Sequence, residues 1–140
     1  MRNLLLIFLG MSLLLSCRTG KEADASAAPR QIVFGQGGGF SGKITAHVLY
    51  EDGRIMVLPL QGDPTELVTT LSKKETKKLF KRTEEWKSLK FNQPGNMYTF
   101  IELVEGENRY KITWGNSGSE VPEAALLFYK DLAAKLQVEM

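Results

Sequence analysis

Residues 43–60, "KITAHVLYEDGRIMVLPL", constrain the fold more than any other stretch of the chain. Ile44, Ala46, Val48 and Tyr50 alternate with Lys43, Thr45 and His47. A period of two places the first set on one face of a strand and the mostly polar second set on the other. Asp52-Gly53 is a preferred pair for a tight hairpin turn, whose central residues need positive φ. "IMVLPL" then returns as the partner strand, and Pro59 suggests an edge at its end.

This hairpin also decides how the preceding segment reads. "GQGGGFSGKIT", residues 35–45, carries Gly37, Gly42 and Lys43 at the spacing that begins a phosphate-binding P-loop. That motif next needs Ser or Thr to hold magnesium, and it must open a helix whose amides face the phosphates. Here Ile44 takes the position, Thr45 comes one residue late, and a strand begins where the helix should. The segment does not support nucleotide binding. Two readings remain. Gly38, Gly39, Phe40, Ser41 and Gly42 form a wide turn or bulge that glycine permits, or they form a binding loop that presents Phe40 between flexible hinges.

The rest of the chain supplies the partners of the first hairpin. "QIVF" is a short strand ahead of the glycine segment. "QGDPTELVTTL" reads as a connection, with Asp63-Pro64 starting one helical turn. Ser72 and Glu75 have capping-box spacing, and Thr76, Leu79, Phe80, Thr83 and Trp86 follow as the apolar stripe of a helix. Pro94-Gly95 ends that unit. "MYTFIELV" and "RYKITW" flank "EGEN" as a second hairpin, with Tyr110, Ile112 and Trp114 on one face. A final helix in "VPEAALLFYKDLAAKLQ" buries Ala125, Tyr129, Leu132, Ala133 and Leu136, with Pro122 in its first turn. The expected fold is α+β: an antiparallel sheet of four to five strands, built from two hairpins, with two helices on one face.

The first seventeen residues, "MRNLLLIFLGMSLLLSC", set an address rather than a fold. Arg2 precedes an apolar run from Leu4 to Leu15, which has the length of a secretory signal and is short for a membrane span. Leu14-Leu15-Ser16-Cys17 resembles the bacterial lipobox, which implies cleavage before Cys17 and acylation at that residue. Several acyl chains give stable anchoring, at about 0.8 kcal/mol per buried CH₂. Cys17 is the only cysteine, so it has no intramolecular disulfide partner. Arg18 after the cysteine, rather than Asp, resembles the sorting pattern of outer-membrane lipoproteins. Residues 1–16 are thus read as a signal peptide, 17–30 as a lipidated, small and polar tether, and 31–140 as one domain.

Composition adds little about partners. The chain holds 18 basic and 16 acidic residues, so overall charge gives no footprint for nucleic acid, and no cofactor motif is present. His47 is the only histidine; without a second histidine or a further cysteine it cannot build a zinc site, and no nucleophile elbow accompanies it. The carboxylate pairs Glu84–Glu85 and Glu105–Glu107 fall on a helix surface and a hairpin turn, where glycosidase chemistry would need them facing each other across a cleft. Lys74, Lys77, Lys78 and Lys81 form either a solvated helix face or one attracted to anionic headgroups. Three loops place Gly and Asn beside an aromatic: the glycine segment with Phe40, "QPGN" with Tyr98, and "WGNSGS" with Trp114. Such loops make adaptable recognition surfaces, though Trp114 at a strand end reads as core.

"GGGFSG" ahead of a hairpin, then a helix, a Tyr-bearing hairpin and a leucine-rich terminal helix, resembles the emfourin family. Its members are small protein inhibitors of thermolysin-like metalloproteases. The resemblance covers residues 31–137 and rests on Gly38-Gly39-Phe40-Ser41-Gly42 plus the layout. It implies inhibition by plugging a protease cleft with this loop, Phe40 being the inserted group. The lipobox, the tether and the "PGN" and "WGNSG" segments have no counterpart in that pattern.

The expected function is therefore non-enzymatic. The chain reads as a lipoprotein held on a cell-envelope membrane by its N-terminal lipid, with a domain that binds a protein, whether a protease or an envelope component. Protease inhibition is the more specific version, and an envelope hydrolase using carboxylates is the enzymatic alternative.

Overall fold

The computed structural model describes residues 29–115 and 120–137. Cys17, the signal segment and most of the tether lie outside the described residues, as do 116–119 of the "WGNSGS" loop. The strands are β1 (Arg30–Gly38), β2 (Thr45–Tyr50), β3 (Arg54–Leu58), β4 (Glu66–Thr70), β5 (Asn92–Gln93), β6 (Met97–Glu105) and β7 (Asn108–Gly115). The helices are α1 (Lys73–Arg82), extended by a 3₁₀ turn over Thr83–Glu85, and α2 (Glu123–Lys135).

These strands form one seven-stranded sheet in the order β4-β3-β2-β1-β6-β7-β5. The protein is α+β, but its sheet is larger than four to five antiparallel strands, and it is mixed because β5 runs parallel to β7. Two segments account for the difference. "ELVTT", expected in a connection, is β4 and pairs with β3 across a register irregularity at Ile55/Met56. β5 is a two-residue strip recruited by β7 just before the Pro94-Gly95 turn.

β1 also runs further than "QIVF". Residues through Gln36 pair with β2, and every residue through Gly38 pairs with β6. Glycine makes this possible. A Cβ at Gly35 would overlap the Thr45 carbonyl oxygen, and one at Gly37 would stand 2.7 Å from the Tyr98 hydroxyl oxygen. The strand stays in the sheet because its neighbours occupy the space that side chains would need.

The first turn differs in detail from the expectation. The Gly53 amide donates to the Tyr50 carbonyl at 3.0 Å, and only Gly53 has positive φ. Asp52 keeps negative φ, and its carboxylate accepts from the Arg54 amide and side chain.

The capping box of α1 is present. The Ser72 hydroxyl accepts from the Glu75 amide, and the Glu75 carboxylate accepts from the Ser72 amide. Thr76, Leu79, Phe80, Thr83 and Trp86 are all buried, as the stripe requires. In α2 the buried residues are Ala125, Phe128 and Leu132, while Tyr129, Ala133 and Leu136 are half-buried. Phe128, not among the expected stripe residues, is fully buried, with its ring centroid 5.3 Å from that of Trp86. Pro122 caps α2 instead of lying inside its first turn.

Side chains of both helices share one core cluster with Ile32, Phe34, Leu49, Ile101, Leu103 and Ile112 of the sheet. A second, smaller cluster of Val33, Ala46, Val48 and Phe100 lies apart from it. Alternation along each strand puts that cluster on the opposite sheet face. β2 therefore presents apolar residues on both faces: Leu49 on one, Ala46 and Val48 on the other. Among the described residues the buried core side chains lie between Ile32 and Leu132, so residues 29–137 hold a core of their own.

Candidate functional site: the glycine loop and its rim

The glycine segment leaves the sheet in two steps. β2 lets go of β1 after Gln36, whereas β6 holds it to Gly38. Gly38 has φ +95°, and a Cβ there would overlap the Asn96 carbonyl oxygen. The Gly39 amide then donates to that carbonyl at 2.7 Å. This bond adds one rung beyond the β1–β6 ladder.

Past Gly39 the chain reverses. The Gly42 amide donates to the Gly39 carbonyl at 3.1 Å, which closes a turn with Phe40 and Ser41 at its centre. Gly39 and Gly42 both have positive φ. The Ser41 hydroxyl accepts from the Lys43 amide at 3.4 Å, a long bond. Phe40 sits at the apex and is fully exposed. The segment is a turn, and it also holds an aromatic side chain clear of the surface.

The loop has an apolar neighbour that sequence reasoning missed. Met97, 45 % exposed, lays its sulfur against Gly39, where a Cβ would be 2.8 Å away. The available signal was its position directly after Pro94-Gly95-Asn96. On the far side of the same loop, Tyr98 covers Gly37 beside Ile44. Tyr98 also lies 6.3 Å from Phe100, centroid to centroid. The Lys111 ammonium stands 4.7 Å above the Phe100 ring.

The loops singled out in the sequence meet here. The glycine loop joins "QPGN" through the Gly39–Asn96 bond. "QPGN" joins the start of "WGNSGS" at Gly115, where a Cβ would stand 2.6 Å from the Gly95 nitrogen. Trp114 belongs to the core and packs edge-on against Tyr129 at 5.7 Å. Burial pushes the Tyr129 phenol above its ordinary value, opposed by a hydrogen bond with Gln36. This aromatic cluster anchors the rim from the helix side.

The other candidates lie elsewhere. His47 stacks on Phe34 at 5.6 Å, and burial lowers its pKa, which favours the neutral ring. Glu84 pairs with Lys87 at 2.7 Å, and Glu105 lies 3.9 Å from both Arg30 and Lys87. Glu85 and Glu107 are exposed. Glu84 and Glu105 are thus each engaged by a cation. Among the described residues no three metal-ligating side chains gather, and no helix is long and apolar enough to cross a membrane.

The rim is therefore suited to contact. Its backbone is tied down on one side, its apex is an exposed aromatic ring, and a thioether lies beside it. Pre-set backbone geometry lowers the ordering cost of binding, and a single aromatic anchor can dominate an interface.

β1 also separates the two ends of the domain. Arg30 marks where residues 1–28 join the sheet, and Gly38 leads into the loop. At about 3.3 Å per residue, these ends stand roughly 26 Å apart.

No protein-family model and no curated protein matches the chain.

Proposed function

We propose that the chain is a non-catalytic lipoprotein, held on a cell-envelope membrane through Cys17, whose domain binds a protein partner with the Phe40 loop. The observation that carries this reading is the contrast at the loop: a fully exposed Phe40 on a turn whose base is bonded to Asn96. Phe40 and the half-exposed Met97 line one shallow cavity with the glycine segment, so the apolar surface there extends beyond a single side chain. The chain enters β1 at Arg30 and leaves it for the loop at Gly38, an order consistent with a domain hung from Cys17 that presents its loop away from the point of entry. An outer-membrane location fits Arg18 at the position after the cysteine.

A photo-reactive phenylalanine analogue placed at position 40 tests the reading in living cells. It should cross-link a discrete envelope protein. The same analogue at Leu127, exposed on α2, should not. Equal cross-linking from both positions would remove the loop from the interface. Separately, Cys17→Ala should abolish labelling by a fatty-acid probe; persistent labelling would refute the anchor.

A second reading, emfourin-like inhibition of a thermolysin-type metalloprotease, is favoured by one further fact. Gly38 to Gly42, the segment of resemblance, forms the turn that leaves Phe40 fully exposed. Purified residues 29–140 should then inhibit such a protease, and Phe40→Ala should relieve it. Absence of inhibition at micromolar domain across several thermolysin-like enzymes would eliminate this version and leave the first standing.

A further inference from the structure

Lys73, Lys74, Lys77, Lys78 and Lys81 of α1 are all exposed. None forms an ion pair among the described residues, while acids of the neighbouring segments pair with other cations. Glu75 holds Lys135 at 2.7 Å, Glu51 holds Arg30 at 2.8 Å, and Asp52 holds Arg54 at 2.7 Å. Lys73, Lys77 and Lys81 recur every four residues and therefore share one side of the helix. That side lines a groove together with Arg30, Glu51 and Phe80. The Arg30 guanidinium lies 5.1 Å over the Phe80 ring. Arg30 is also the residue through which residues 1–28 enter the sheet. The uncompensated positive face thus sits at the attachment end of the domain, remote from the glycine loop.

We infer that the lysine face of α1 docks on the anionic headgroups of the membrane that holds the anchor; this rests on the reading of Cys17 as the lipidation site. Two facts select this occupant. The first is charge. Clustered lysines repel one another, and a continuous anionic surface relieves them all at once where a single phosphate reaches only a few. The second is reach. The chain from Cys17 to Arg30 spans at most about 45 Å when fully extended, and about 20 Å as a flexible coil. The headgroups are consequently the anionic surface kept at high local concentration beside α1. Phe80 is buried, so the face offers charge and no apolar wedge. Docking is electrostatic and salt-sensitive. It also orients the domain, with α1 toward the bilayer and Phe40 outward.

The test is co-sedimentation of purified residues 29–140, which lack the lipid, with vesicles. Phosphatidylcholine vesicles alone should pellet little protein. Vesicles mixed with phosphatidylglycerol should pellet about tenfold more at low salt and release it at high salt. Lys73→Gln, Lys77→Gln and Lys81→Gln combined should remove most of that gain. The same number of changes at the exposed Lys90, Lys111 and Lys130 should not. Equal pelleting with neutral vesicles would overturn the inference. So would an unchanged α1 variant, or an equal loss in the control variant. Circular dichroism establishes that each variant is folded. Acyl labelling of Cys17 in cells separates the two failures. Labelling without vesicle binding overturns the headgroup contact alone, and vesicle binding without labelling overturns the anchor alone.

Discussion

The amide of Gly39 donates to the carbonyl of Asn96 across 2.7 Å, joining the loop that ends β1 to the turn that begins β6. The two residues are far apart in sequence and are brought together by the β1–β6 ladder. Their bond fixes the base of the turn that carries Phe40. The side chain at the apex is left without support, while the backbone beneath it is held.

Phe40→Ala should therefore separate binding from stability. Phe40 is fully exposed, so folding should change by no more than about 0.5 kcal/mol. Affinity for the partner should fall by about 2 kcal/mol or more, the size of a central aromatic anchor. Thermal melting and titration of the cross-linked partner measure the two effects. A large loss of stability would mean that the ring packs against the domain.

Gly38→Ala should weaken both. Its φ of +95° disfavours any side chain, and the new Cβ would collide with the Asn96 carbonyl. Relieving the clash must move the turn that holds Phe40. The expected cost in urea unfolding is about 1–2 kcal/mol, accompanied by reduced affinity although Phe40 is retained. Unchanged affinity would show that the brace is irrelevant to recognition.

Acid should loosen the contact between the two helices. Lys135 donates to Glu75 at 2.7 Å, and with the Ser72 hydroxyl and amide it lowers the Glu75 carboxyl from 4.5 to about 2. The folded value lies below the unfolded one, so the stabilisation is complete above about pH 4.5. It is lost as pH falls from there toward about 2. Melting temperature should decline across that window, and Glu75→Gln should flatten this part of the decline. Added salt should shrink the difference between the two proteins. Identical acid profiles would remove Glu75 from the explanation.

Phe128→Ala should destabilise the domain by about 3–5 kcal/mol. The ring is fully buried beside Trp86, with the Arg82 guanidinium 5.5 Å from its centroid. Arg82 also pairs with Asp131, on the same helix as Phe128. Removing the ring opens a cavity between α2 and the end of α1. Urea unfolding followed by tryptophan fluorescence reads the loss; a change under 1 kcal/mol would show that the helices repack.

What could be read from the sequence was local chemistry. Ser72 and Glu75 cap α1 because a hydroxyl and a carboxylate satisfy amides within one turn, and spacing alone reveals it. Both hairpins follow from alternation and glycine-bearing turns. β4 was hidden because Asp63-Pro64 resembles a helix start, while the strand exists through its pairing with β3. Val68, Thr69 and Thr70 were the only local hint. β5 has no intrinsic signal and is defined by β7. Phe128 escaped the expected stripe because "AALLF" is apolar on most sides of α2, so periodicity poorly selects a face. At the candidate site, Phe40 and its glycines were visible in the sequence. Met97 and the Gly39–Asn96 bond depended on which strands lie side by side.

β1 has a mechanical consequence as well. It is the strand continuous with residues 1–28, and it lies inside the sheet between β2 and β6. Antiparallel hydrogen bonds run perpendicular to the strands. A pull on the chain ahead of Arg30, directed along β1, would shear rungs on both flanks together instead of peeling them one by one. Force applied through residues 1–28 would thus load an interior strand and not an edge.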